Sequence, residues 1–281
     1  MTHFQALFLA LLQGATELFP VSSLGHAVIV PALLHWRYDL HSPTFLPFLV
    51  MLHLGTASAL LAFFWRDWWT LGTGVLGVGG ADHAAACRRS LGLIALATLP
   101  AVVVGFVLEH KVRRLFGDPA IAAGFLIANG ALLLLAERLR GPTPTGTPRS
   151  LDQLTARDAL VVGAWQCLAF IPGISRSGAT MVGGLSRGIG HEGAAHFSFL
   201  IATPVILGAG VLEVPKLIHA GAAAQGMWGT SVLAAVVAGV TAYASTWFLM
   251  RYFRGHERWA LNPFAYYCLA AGAGSLALLL V

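Results

Sequence analysis

The chain has 281 residues, of which 57% are hydrophobic and 10% charged; soluble domains carry about 25% charged residues. So little charge excludes a water-soluble globule and makes lipid the solvent. The formal net charge of +5 comes from Lys and Arg scattered through short loops, which excludes the clustered basic face of a nucleic-acid binder.

The first stretch, residues 1–36, lacks the basic leader of a cleaved signal peptide and reads as part of the fold. It is apolar at both ends but carries Gln13, Glu17, Pro20, Ser22, Ser23 and His26 in its middle. Each half is too short to cross about 30 Å of hydrocarbon as a helix. Pro and Gly break helices, and the freed backbone groups must face protein or a wet cavity rather than lipid. A re-entrant helix pair is therefore expected.

Three uncharged runs follow at 40–65, 90–108 and 119–136, each long enough to span. A segment rich in Gly, Pro and Thr at 141–146 then reads as a linker. A second broken stretch at 159–186 carries Gln166, Pro172, Gly173, Ser175, Arg176 and Ser177 in its middle, and the runs 193–212, 217–250 and 259–281 complete the chain. The expected fold is all-α and membrane-embedded, with six transmembrane helices and two re-entrant helix pairs. The spans are placed at about 43–65, 90–109, 119–137, 193–213, 228–250 and 259–280, with the broken pairs at about 1–36 and 158–188.

The broken stretches align without gaps at an offset of 153 residues: Gln13 on Gln166, Ser22 on Ser175, Gly25 on Gly178, and further on Leu54-Gly55 on Leu207-Gly208. Each half, 1–137 and 158–281 around a linker at 138–157, holds one broken pair and three spans. An odd number of spans inverts the second half, and paired broken segments in inverted halves point to a site near the midplane. Eleven Arg side chains (66, 88, 89, 138, 140, 149, 157, 187, 251, 254 and 258) collect on one side, against five basic residues (Arg37, Lys111, Arg113, Arg114, Lys216) on the other. The positive-inside rule makes the eleven-charge side cytoplasmic and both termini external. Trp65, Trp68, Trp69, Trp228 and Trp259 read as interfacial anchors.

Few residues can carry chemistry. Glu17 is the carboxylate well inside an apolar stretch, where an isolated charge costs roughly 2.5–3.5 kcal/mol on insertion scales, so a wet functional site is favoured over a buried structural acid. Gln13, one turn earlier, shares its helix face; an amide oxygen and a carboxylate suit Mg²⁺ or Ca²⁺. His26 follows a Ser pair at the break, and its imidazole could attack phosphorus or act as acid or base for Ser23. Arg176, flanked by Ser175 and Ser177, is the basic residue inside a broken segment. It suits bidentate binding of phosphate oxygens, with a structural ion pair to Glu17 as the plainer alternative. Fresh helix N-termini at both breaks would add N–H groups for an anion. His53 lies in an uncharged span and could line the cavity. Cys87, Cys167 and Cys268 have no metal-ligand spacing and read as small buried or interfacial thiols.

Gln13-Gly-Ala-Thr-Glu17-Leu-Phe-Pro-Val-Ser-Ser-Leu-Gly-His26 and Ile171-Pro-Gly-Ile-Ser-Arg-Ser-Gly-Ala-Thr180 resemble the undecaprenyl-diphosphatases of bacterial inner membranes, the bacitracin-resistance type. Gly183-Gly184-Leu185 and Phe197-Ser198-Phe199-Leu200 extend the likeness over nearly the whole chain. The resemblance implies removal of the terminal phosphate from the C55 isoprenyl diphosphate carrier with a divalent metal at the periplasmic face, in recycling of the peptidoglycan lipid carrier and tolerance of bacitracin. It implies Glu17, Ser23, His26 and Arg176 as catalytic, Gln13 and Glu17 as metal ligands, and Ser22, Gly25, Gly173, Ser175, Ser177 and Gly178 as substrate-binding. Gln13 departs from a Glu common in that family, Leu24 from a small hydroxyl residue, and His196 from a Glu or Arg. Partners expected are the isoprenyl diphosphate, membrane lipids and, as a candidate, a second copy of the chain; nucleic acid is not expected. A lipid-phosphate flippase with the same anion cradle is the competing reading. A third, the other lipid phosphatase class, fits poorly: Ser186-Arg187 precedes His191 by three intervening residues where that signature has five.

Overall fold

The computed structural model describes residues 1–36, 45–115, 117–140, 148–219 and 227–280. Expectations for Arg37, the linker residues 141–147, and the side chains of Lys111, Arg113, Arg114 and Lys216 fall outside what is described. The described chain is α-helical: α1 (His3–Thr16), α2 (Ser23–Leu33), α3 (Phe45–Phe63), α4 (Trp65–Val75), α5 (Ala81–Leu115), α6 (Pro119–Arg140), α7 (Ala156–Gln166), α8 (Arg176–Ser186), α9 (His191–His219), α10 (Met227–Gly255) and α11 (Asn262–Leu280).

Five of these, α5, α6, α9, α10 and α11, contain a stretch long and apolar enough to cross a membrane, and the pair α3–α4 makes a sixth if its 71° bend is counted as one span. The protein is an all-α, multi-pass integral membrane protein. Large apolar side chains such as Phe106, Val107, Val211 and Val240 are exposed on the outer helix faces, which is the surface hydrocarbon accepts. The bend follows from composition: Arg66 and Asp67 open α4 beside the exposed Trp65 and Trp69. A helix with charges in its first turn and Trp on its face suits the membrane boundary, so it turns aside rather than extending the span. At its other end α5 starts at Ala81, earlier than the apolar run, because a helix needs apolar residues only where it meets lipid. Arg89 on that extension donates to the Asp152 and Leu154 carbonyls at 2.7 and 2.5 Å.

Helix α1 turns back into α2 through residues 17–22, and α7 into α8 through a short 3₁₀ turn, Cys167–Phe170, and residues 171–175. Thr2 and Thr155 cap the first helices by exchanging hydrogen bonds with Gln5 and Asp158. Ser22 and Ser175 cap the second helices by accepting from Gly25 N and Gly178 N. α1 packs on α10 while α7 packs on α5, and α6 packs on α11. Contacts within that last pair are close in both directions: a methyl on Gly130 would meet the Ala265 carbonyl, and one on Gly272 the Ala123 carbonyl. Small residues that let backbones approach drive helix association where lipid offers no hydrophobic gain.

The two turns meet inside this frame. Gly173 has φ +99°, and a Cβ there would lie 2.3 Å from the Ala122 carbonyl, so only glycine fits. Asn129 of α6 joins the turns directly: its Nδ2 donates to the Pro20 carbonyl at 2.9 Å and its Oδ1 accepts from Ser175 N at 3.0 Å.

Candidate active site between the two helix hairpins

Glu17 follows the last turn of α1, its N–H bonded to the Gln13 carbonyl at 2.8 Å, and its side chain is the hub of the site. Arg176 Nη2 donates to Glu17 Oε1 at 2.8 Å, joining the second hairpin to the first. On the other oxygen, Oε2, converge the Ser23 hydroxyl at 2.5 Å, Gln13 Nε2 at 2.9 Å and His53 Nε2 at 3.3 Å. All but His53 and Arg176 are nearly sealed from the exterior, and Glu17 is 6% exposed. An anion this deep persists only when paired and fully hydrogen-bonded; Arg176, Ser23 and Gln13 donate to it, and His53 adds a fourth donor when Nε2 is protonated. His53 Nδ1 lies 2.8 Å from the Leu49 carbonyl. A carbonyl only accepts, so Nδ1 carries a proton, and Nε2 attracts the carboxylate when it carries one too.

The structural ion pair between Glu17 and Arg176 is thus formed, yet it leaves Arg176 with spare donors. Among the described residues its remaining hydrogen bond is a long 3.5 Å approach to the Ser198 carbonyl, whereas a guanidinium has five N–H groups. These groups border a cavity of about 260 Å³ lined on its polar side by Glu17, Ser22, Ser23, His53, Ser175 and Arg176, with Gln166 beside them. Its apolar walls come from α3 and α9 (among them Leu49, Val50, Val205 and Ile206) and from Phe170 and Ile174 of the second turn. A polar floor under apolar walls suits a charged headgroup on a hydrocarbon tail. Leu24 also lines it, so the missing hydroxyl at that position is replaced by apolar wall.

Several expected site residues do not line this cavity. His26 is not among the cavity-lining residues. Its Nδ1 lies 2.6 Å from the Ser22 carbonyl and its Nε2 lies 2.7 Å from the Tyr267 hydroxyl, so both ring nitrogens are occupied away from the cavity. Ser177 Oγ donates to the Phe19 carbonyl at 3.0 Å and bonds Ser175 Oγ at 3.0 Å, tying the turns together. Gly25 and Gly173 lie back to back, with 3.1 Å between a Cβ on the former and Cα of the latter. Gly178 packs near Pro20 and Ser175. These glycines act by letting the hairpins approach, not by lining the cavity. His191, weighed above in another signature, lies 2.8 Å from Glu137 and 2.6 Å from Arg140, away from this site. His196 stacks on Phe64, 4.9 Å between centroids, and lies 3.5 Å from Asp67.

One observation bears on a divalent ion. Among the described residues Gln13 Oε1 is buried without a hydrogen-bond partner, while its Nε2 is held by Glu17. An orphaned amide oxygen one turn from a carboxylate is the kind of oxygen pair that Mg²⁺ and Ca²⁺ take alongside substrate phosphates.

The profile of the family described as Bacitracin resistance protein BacA matches residues 6–274. The chain belongs to this family. It is 61% identical to a protein of Granulibacter bethesdensis named undecaprenyl-diphosphatase, covering 99% of this chain and 97% of the relative. It is also 61% identical to one of Acidiphilium cryptum, over 99% of each. A third relative of the same name, from Gluconacetobacter diazotrophicus, is 56% identical over 99% of this chain and 98% of its own length. The BacA match reaches both hairpins and every long helix, ending within α11.

Proposed function

We propose that the protein is an undecaprenyl-diphosphate phosphatase of the bacterial inner membrane. It hydrolyses the lipid diphosphate to undecaprenyl phosphate and inorganic phosphate, recycles the cell-wall lipid carrier and so confers tolerance of bacitracin. The relatives' shared name supports the substrate. The observation that carries the chemistry is the Ser23 hydroxyl 2.5 Å from a Glu17 carboxylate that Arg176 grips from the other hairpin. A nucleophile on a base, with the base oriented by a third group, is the general form of an activated hydroxyl.

In this reading the terminal phosphate lies over Arg176 and the N-termini of α2 and α8, where spare guanidinium N–H groups and helix-end N–H groups neutralise its charge. Ser23 Oγ attacks the terminal phosphorus and Glu17 takes its proton. The bridging P–O bond breaks with its electron pair leaving on the lipid monophosphate. Water then cleaves the phosphoserine, releasing orthophosphate and restoring the hydroxyl. Gln13 and Glu17 would hold a divalent ion, which supplies further neutralisation of phosphate charge when bound. The apolar walls hold the first isoprene units, and the site opens to the periplasmic side.

Phosphate release from a C55 isoprenyl diphosphate by purified protein in detergent, with and without chelator, tests this reading. Turnover that stops with chelator and returns with Mg²⁺ or Ca²⁺ is expected; no release under any of these conditions would refute it. A second reading, a lipid-phosphate carrier, is favoured by the exchanged packing of α1 on α10 and α7 on α5, as inverted halves would give. A carrier needs no nucleophile, and phosphate released in detergent, where no gradient exists, decides against carriage alone.

A further inference from the structure

The cavity is lined by neither His26 nor Tyr267, yet the two are joined by a bond and a ring contact and lead straight back to the reacting hydroxyl. Ser22 has φ +65° and ψ +92°, a backbone state that side-chain-bearing residues rarely hold without support. Its support is visible. The Ser22 carbonyl faces His26 Nδ1 at 2.6 Å and accepts the backbone N–H of His26 at 3.2 Å, while Ser22 Oγ accepts from Gly25 N at 3.2 Å. Since the carbonyl only accepts, Nδ1 carries a proton, and Nε2 lies 2.7 Å from the Tyr267 hydroxyl, from which it accepts when the ring is neutral. The two rings lie within 9° of parallel, 5.7 Å apart. Ser23, the next residue, is the one whose hydroxyl sits on Glu17.

We propose that His26 is a positioning residue rather than a catalytic one, and that Tyr267 of α11 is its partner: together they hold the strained Ser22 so that the Ser23 hydroxyl meets Glu17. Tyr267 fixes the ring by its hydroxyl and its face, and the ring fixes the Ser22 carbonyl. The chain of contacts carries the packing of α11 into the hairpin turn. It rests on the phosphatase reading above, in which Ser23 and Glu17 do the chemistry.

The distinction is testable because an Asn side chain puts an N–H where Nδ1 stands but can neither shuttle a proton nor attack phosphorus. Wild type, H26N, H26A and Y267F are purified in detergent, checked by gel filtration and helical content, and assayed for phosphate release from the C55 diphosphate. H26N is expected within about tenfold of wild-type kcat, with KM and the shape of the kcat/KM pH profile unchanged. H26A is expected to lose about a hundredfold or more, and Y267F about tenfold in kcat at constant KM. A folded H26N as inactive as H26A overturns the proposal. So does Y267F with wild-type turnover, which decides the matter should H26N fail to fold. Wild type that releases no phosphate counts against the phosphatase reading itself and takes this inference with it.

Discussion

Glu17 and Arg176 bind each other as well as serving the proposed chemistry, so their substitutions have to be chosen to separate the two. Arg176→Lys keeps the charge but replaces a planar fork by a point charge. It can still pair with Glu17, and it loses the spare N–H groups available to a phosphate. The expected result is a fall in kcat/KM of about a hundredfold, about 2.7 kcal/mol at 1.36 kcal/mol per tenfold, with folding retained. Glu17→Gln keeps the shape, removes the base and leaves Arg176 and His53 facing a neutral amide; turnover is expected to drop at least as far. Phosphate-release kinetics on both variants check this, and a Glu17→Gln enzyme near wild-type rate would remove Glu17 from the mechanism. The same residues show why part of the site is legible in sequence. Glu17 and Arg176 stand out because a charge in an apolar stretch is costly at that depth unless it is paired or used. His53, Asn129 and Tyr267 do not, because single polar groups on apolar helices acquire meaning only from what packs opposite. His53 meets Glu17 across two helices, and Asn129 spans turns 109 and 46 residues away. His26 is the converse case, conspicuous beside the Ser pair yet bonded away from the cavity.

The element on which the site most depends is the second hairpin, and its anchor is Asp158 at the start of α7. The Asp158 side chain is fully buried. Its Oδ2 accepts from Thr155 N at 2.9 Å, Thr155 Oγ1 at 2.8 Å and Arg149 Nη2 at 2.9 Å, and its Oδ1 accepts from Arg187 Nε at 2.6 Å. The start of α7, the segment before it and the end of α8 thus share one carboxylate. Burial alone would raise its pKa, but the bonds from Arg149, Thr155 and Arg187 outweigh burial and hold it well below the usual carboxylate range. A depressed folded-state pKa contributes stability that is present above the unfolded value, about 4, and is lost as pH falls through that value towards the folded one. Wild type is therefore expected to lose thermal stability in detergent as pH drops below about 4. Asp158→Asn is expected to be weaker at neutral pH, by about 3 kcal/mol for breaking a buried ion network, and to lose less on acidification. Equal acid loss in the two proteins would show that another carboxylate governs the transition. The hairpin itself is readable from Pro172-Gly173 and the capping Ser175, whereas its anchor is not, since Arg149 and Arg187 read as loop charges until the fold brings them to Asp158.

At the scale of the whole molecule, the inverted-halves reading makes a claim about sidedness that the charges and the packing support from different directions. Each half contributes a hairpin and three long helices, α1 lies on α10 as α7 lies on α5, and α6 and α11 pair through reciprocal glycines. A two-fold in the membrane plane would send the first hairpin in from one face and the second from the other, which is the arrangement that lets Arg176 meet Glu17 at depth. We propose from the excess of Arg on one side that this side is cytoplasmic, which would put residues near Leu34 outside and residues near Gly255 inside. The background for a labelling test is low, because Cys87 and Cys268 are buried and Cys167 half-buried. Leu34 is 50% exposed, and a Cβ on Gly255 would meet nothing within 4 Å, so Leu34→Cys and Gly255→Cys both offer an open thiol without repacking. In right-side-out vesicles a membrane-impermeant thiol reagent is expected to label Leu34→Cys at once and Gly255→Cys only after the membrane is permeabilised. The reverse pattern would turn the molecule over and put the mouth of the cavity on the cytoplasmic leaflet. Labelling of both sites from outside would place Leu34 and Gly255 on one side of the membrane, so that the six helices could not be threaded as inverted halves.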